Sequence, residues 1–150
     1  HFTSPIRRYA DLIVHRILET QLAKRPHQYG QALDDVCKLI SRNERKAAEA
    51  ERESGKYFQT LFVQDKIGEE FDGFISGIAE HGLYVKMIEN NCEGMVALQG
   101  IPGDRYFFDA EKFRVIGSKN KKEFNFGDLV KVRIYEVSTK KRQIDLELVV

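Results

Sequence analysis

Little in this sequence argues for a secreted, membrane-spanning or metal-stapled protein. Its two cysteines, Cys37 and Cys92, stand alone, with no CxxC pair and no histidine at ligand spacing. A disulfide framework and a zinc site are therefore excluded, and both residues read as reduced, buried thiols of a cytoplasmic protein. No apolar run is long enough for a transmembrane helix, and the opening residues carry no signal-peptide pattern. Charge of one sign is also lacking: 24 Lys and Arg face 23 Asp and Glu, a net charge of +1. That balance excludes a bulk polycation that holds nucleic acid by charge alone, while basic patches stay open. An initiator methionine is missing too. The chain opens on His1 with an amphipathic pattern already running, so the expectation is a piece of a longer protein.

What is present divides into two compositional halves. With 42% hydrophobic and 31% charged residues in 150, a packed core in one domain or two small ones is expected. Residues 1–63 hold only two glycines, Gly30 and Gly55, and their apolar positions step by three and four. Ile6, Tyr9, Ile13 and Ile17 share one helical face. Ser4 as N-cap and Pro5 at the first helical position predict where that helix starts, and Pro26 and Gly30 predict where it ends. A second helix is expected over 32–40. Ser41 then opens S-R-N-E, with Glu44 at capping-box distance, so a third helix is expected from there to about Val63.

From Gly68 the pattern becomes strand-like. Phe71 to Ile75, Leu83 to Val85, Met95 to Leu98, Phe113 to Val115, Val130 to Ile134 and Ile144 to Leu148 form short apolar runs punctuated by glycines. The fold class expected is α+β, an N-terminal helical segment (1–65) followed by a five-stranded OB-fold β-barrel (66–150). Within the barrel, residues 112–142 hold ten basic residues against three acidic ones, while 65–111 hold three basic against ten acidic. This predicts either a positive face for a phosphate backbone or ordinary solubility charge on alternate strand faces.

The densest constellation is H-F-T-S-P-I-R-R-Y-A-D-L-I-V-H-R, residues 1–16. Arg7 and Arg8 fall at a helix start, where unpaired N–H groups favour an anion. Arg8, Asp11 and His15 share a face, and Arg7 and Asp11 are spaced as an i,i+4 pair. A guanidinium there could grip a phosphate bidentately, or it could belong to a solvated face of plain ion pairs.

This stretch resembles the closing signature of the RNB catalytic domain of the ribonuclease II and ribonuclease R family, with Ala10 where a proline is usual. The resemblance implies that Arg7 lies beside the scissile phosphate; Arg8, from its place at the helix start, is expected to bind RNA. S-R-N-E-R-K-A-A-E-A-E-R-E resembles the family's next segment, which implies that Glu51 contacts the last nucleotide; a solvated charge is the alternative. G-F-I-S-G-I-A-E-H-G-L-Y-V-K, E-G-M-V-A-L, G-D-L-V-K-V-R-I-Y-E-V and R-Q-I-D-L-E-L resemble, in order, the RNA-binding barrel of the S-one type. The insert D-R-Y-F-F-D resembles the ribonuclease R branch.

The resemblance implies bases stacked on His81 and Tyr84; Lys86, Lys140 and Arg142 are expected either to track phosphates or to be plain surface charges. His81 stands where a second aromatic is usual, Ala97 where a histidine is common and Ser138 where an aspartate is common, so the family's RNA face is incomplete. Phe107, Phe108, Phe124 and Phe126 are expected to pack rather than stack. The activity implied is processive, hydrolytic 3′-to-5′ exoribonuclease action on single-stranded RNA, using magnesium held by aspartates that this chain does not contain. The chain alone is then expected not to cut RNA, with no metal ligands of its own and a helical segment able to self-associate. The alternative is a stand-alone, non-catalytic single-stranded RNA-binding module.

Overall fold

The computed structural model describes residues 1–26, 29–30 and 32–149. The chain divides into two compact units, His1–Arg52 and Glu53–Val150. Among the described residues no helix is long and apolar enough to cross a membrane.

In the first unit, α1 spans Tyr9–Leu22. It starts later than Ser4 and Pro5 predict, with Arg8 as N-cap in extended backbone. Residues 5–7 instead form a turn in which the Arg7 and Arg8 N–H groups both donate to the Ser4 carbonyl. The reason lies in Asp11, whose Oδ2 accepts the Ser4 N–H at 2.8 Å and pulls that residue back against the helix start. Serine's own side chain makes no cap. At the far end Lys24 adopts φ of 52°, and the Arg25 N–H donates to the Thr20 carbonyl at 2.8 Å. That Schellman-type closure stops the helix before Pro26 is reached.

The second and third predicted helices are one. α2 runs unbroken through Ala32–Val63. Ser41 sits inside it rather than capping anything, because the flanking Arg, Glu, Lys and Ala residues all favour helix and nothing forces an extended residue at position 41. Gly55 is accommodated on an open side of this helix, where an added Cβ would meet nothing within 4 Å. No residue from 32 to 59 is buried, so Cys37 is exposed, contrary to the expectation; Cys92 is buried as expected.

The second unit is built on a closed five-stranded barrel. Its strands are β1 (Glu70–Ala79), β2 (Gly82–Met87), β3 (Glu93–Ala97), β7 (Leu129–Ser138) and β8 (Gln143–Leu148), in the order β1-β2-β3-β8-β7. Alternation makes the barrel. Phe71 and Ile75 of β1, Leu83 and Val85 of β2, Val132 and Ile134 of β7 and Ile144 and Leu146 of β8 all point into one buried core. Each such side chain contributes about 1.5–3 kcal/mol of apolar burial. The single parallel pairing, Met95↔Asp145 and Val96↔Leu146, closes the barrel between β3 and β8. Gly94 permits that approach, since a Cβ there would lie 2.7 Å from Leu146 and 2.8 Å from the Ile144 carbonyl oxygen.

Between β3 and β7 the chain inserts a three-stranded sheet: β4 (Tyr106–Asp109), β5 (Arg114–Gly117) and β6 (Glu123–Phe124). The sequence pattern gave one strand here. Tyr106, Val115 and Phe124 join the barrel core, so Phe124 packs as expected. Phe107 and Phe126 are exposed instead, and so is Phe113, whose φ of 48° sets it in the turn before β5 rather than in a strand.

Candidate nucleic-acid interface

The first-unit constellation is organised around a carboxylate. Asp11 is buried and binds Arg8 through Nε at 3.0 Å and Nη2 at 2.8 Å. The Ser4 N–H, and then Arg8, hold its carboxyl below the usual range against the opposing cost of burial. The Arg8 guanidinium is therefore paired with a carboxylate of the same helix. Arg7 does not pair with Asp11, as its i,i+4 spacing suggested. It lies in the turn ahead of α1, exposed and without an ion-pair partner among the described residues. His15 faces the opening residues, donating from its ring to the Phe2 carbonyl at 2.9 Å, with the two rings edge to face at 5.4 Å. Glu51 is exposed on α2.

On the barrel, the outward residues of β2, β3 and β8 make a groove of about 240 Å³. Tyr84 opposes Met95, which in turn opposes Asp145 across the parallel pair. His81, at the β1–β2 turn, is joined to Tyr84 through its Nε2 and the phenol oxygen at 3.1 Å, with the rings edge to face at 6.1 Å. The two stacking candidates thus sit side by side. Arg142 reaches the same groove from the β7–β8 turn, and Lys56, Gln59 and Thr60 of α2 complete its wall. Sequence reasoning missed these helical residues, and no local signal could have shown them. Arg142 is bound to Glu53, with Nη1 2.7 Å from Oε2, and this contact holds the Glu53 carboxyl below its usual range.

Lys86 is half-buried on the same outward face, opposite Glu93 and Phe74 in the two ladders. Lys140 is exposed in the β7–β8 turn. The departures from the family pattern have local consequences. Ser138 accepts the Lys141 N–H at 3.3 Å, and Ala97 ends β3 exposed, with only a methyl side chain.

The basic stretch 112–142 is less positive than its count suggests. Arg114 is bound to Asp109 and Glu123, Arg133 to Glu70, and Arg142 to Glu53. Glu70 and Glu53 lie outside the stretch, so long-range pairing removes charge that a local count retains. Among the described residues, no group of three or more His, Cys, Asp or Glu side chains could hold a metal ion. Asp34, of the adjacent acidic pair, is taken by Lys38 at 2.6 Å. These residues do not fit a magnesium site.

Residues 64–148 match the S1 RNA binding domain, more than half of the chain. The chain belongs to the S1 RNA binding domain family. Ahead of the S1 domain, residues 1–24 match the RNB domain. The whole chain is 39% identical over 152 residues to ribonuclease R of Aquifex aeolicus and 35% identical over 156 residues to that of Mycoplasma pneumoniae, covering 99% of this chain and 22% of each relative. It therefore spans about a fifth of the length of the curated relatives it matches. Mycoplasma genitalium RNase R in complex with ribose methylated single-stranded RNA is similar over 99% of this chain and 24% of that one, with a TM-score of 0.83 and 34% identity. The apo form of the same enzyme gives 0.79 at 31% identity. In sequence, the S1 match thus follows an RNB match within a chain that aligns over 99% of its length with ribonuclease R.

Proposed function

We propose that this chain is part of a processive 3′-to-5′ hydrolytic exoribonuclease of the ribonuclease R type. In this reading the S1 barrel holds incoming single-stranded RNA, and the RNB segment supplies an active-site arginine. The observation that carries the proposal is the similarity to ribonuclease R over 99% of the chain, with an RNB match followed by an S1 match.

The two neighbouring arginines divide the work. Arg8 is a positioning residue, since its guanidinium is committed to Asp11 and fixes the turn before α1. Arg7 is the catalytic candidate, exposed and, among the described residues, without an ion-pair partner. In hydrolysis water attacks the phosphorus, the bond to the 3′ oxygen breaks, and a nucleoside monophosphate leaves. Negative charge builds on the phosphoryl oxygens during that step, and a guanidinium fixed beside them stabilises it. Glu51 is assigned to the last nucleotide of the strand.

On the barrel, His81 and Tyr84 take bases, while Lys86, Lys140 and Arg142 take phosphates. The family reaction uses magnesium, for which these residues supply no ligand set, so the chain alone is expected to bind RNA without cutting it. Ile6 and Leu22, wholly or largely exposed on the helical unit, support self-association of that unit in isolation. The cellular setting proposed is the cytoplasm.

Replacing Arg7 by Lys in the intact enzyme tests the catalytic assignment. Turnover should fall on the order of 10²-fold, as when a single transition-state donor is lost, with RNA affinity nearly kept. Unchanged turnover would remove Arg7 from the active site. A stand-alone RNA-binding module is the second reading, favoured by the S1 match being longer than the RNB match.

A further inference from the structure

We propose that the RNA path continues past the barrel face into a second groove built by the inserted sheet, where Arg105 takes a phosphate and Phe107 stacks a base. The proposal rests on the RNA-binding reading above and extends the site that reading uses.

His81 carries the argument because it lines two grooves at once. On one side is the groove of Tyr84, Met95 and Arg142; on the other is a larger one of about 820 Å³, lined by Ala97, Gln99, Arg105 and Phe107. A single side chain at the β1–β2 turn is the shared wall, so a strand stacked on Tyr84 and His81 is led directly into the second groove. Ala97, small where the family commonly has histidine, lines that groove.

The second groove has the chemistry of a nucleotide subsite. Phe107 is 47% exposed, while its neighbour Tyr106 is buried in the core. The alternation of β4 thus turns an aromatic face outward beside polar groups. Arg105 is exposed, and among the described residues its guanidinium has no ion-pair partner, unlike those of Arg114, Arg133 and Arg142. The adjacent carboxylate does not claim it. Asp104 accepts the N–H groups of Arg105, Lys119 and Asn120 at 2.7, 2.6 and 2.7 Å, and these bonds, that of Asn120 foremost, hold its carboxyl below the usual range. Glu80 is the other carboxylate lining the groove, and Arg105 is its cation for a phosphate. An exposed aromatic beside an unpaired guanidinium is the pairing that single-strand binders use.

The full chain is titrated with labelled oligouridylates of about 4 and about 12 nucleotides, which bracket the site of one OB fold. Arg105→Ala and Phe107→Ala should each weaken the long oligonucleotide about tenfold and leave the short one unchanged, on the scale of one lost stacking or phosphate contact. Arg105→Ala should also reduce the slope of log affinity against log salt by about 0.7. Tyr84→Ala should weaken both lengths. If the groove variants match wild type on the long strand while Tyr84→Ala does not, the second groove is overturned and the barrel reading stands. Loss at both lengths in the groove variants also overturns it, because it marks a structural role. If Tyr84→Ala and the groove variants all bind like wild type, both readings fall.

Discussion

Residues 1–52 and 53–150 fold by different means. Among the described residues, the first unit buries only Asp11 and Ile13, while the second buries a common core running from Val63 through Ile75 and Leu83 to Leu148. A helix closes its hydrogen bonds within one segment, so local sequence can specify it, while its stability comes mostly from what it packs against. A barrel exists only when strands far apart in sequence pair, and that pairing is what creates an interior. The start of α1 is therefore organised by polar contacts around one carboxylate, and the second unit by apolar packing.

The largest expected effect sharpens this contrast. Leu83→Ala should cost the barrel about 2–5 kcal/mol in urea unfolding, while Ile13→Ala should leave the barrel's midpoint in place. Equal shifts from the two substitutions would break the comparison. Acid gives a smaller, more local effect. Asp11 is held below its ordinary range in the folded chain, so its stabilisation is present above the unfolded carboxylate pKa of about 3.9 and is lost as pH falls through the lower folded value. Asp104 and Asp109 are lowered too, by backbone donors led by Asn120 and by Arg114 respectively, so the inserted sheet should loosen with the same sign. Residue-by-residue NMR in acid should show both responses, and Asp11→Asn should abolish only the one at α1. The smallest effect is at the groove. Glu53→Gln releases Arg142 and should tighten single-stranded RNA binding by about two- to fivefold, the scale of one exposed ion pair. Weaker binding would mean that Glu53 positions Arg142 rather than competing for it.

Much of the second unit was legible because alternation reports burial directly. Phe71, Ile75, Leu83, Val85 and Ile144 all read as strand residues and all lie in the core. The inserted sheet was half legible. Val115 read correctly, but β4 and β6 are short and gain their meaning from pairing with β5, which no local pattern displays. Helix limits in the first unit were misread for a related reason. Ser4 and Ser41 have cap chemistry, but Asp11 reaching back to Ser4 decided one terminus and the lack of any breaker decided the other. At the site, the proximity of His81 and Tyr84 was legible from their three-residue spacing at one turn. The contacts of Arg142 with Glu53, 89 positions away, and the shared wall at His81 arise only once the strands and α2 are assembled.

The most direct test is the affinity of the full chain for a labelled single-stranded RNA, measured across salt concentrations for wild type and for Tyr84→Ala. The account predicts binding that weakens steadily as salt rises and a loss of about 1–3 kcal/mol on removing the Tyr84 ring. Affinity that is flat in salt and indifferent to Tyr84 would contradict it.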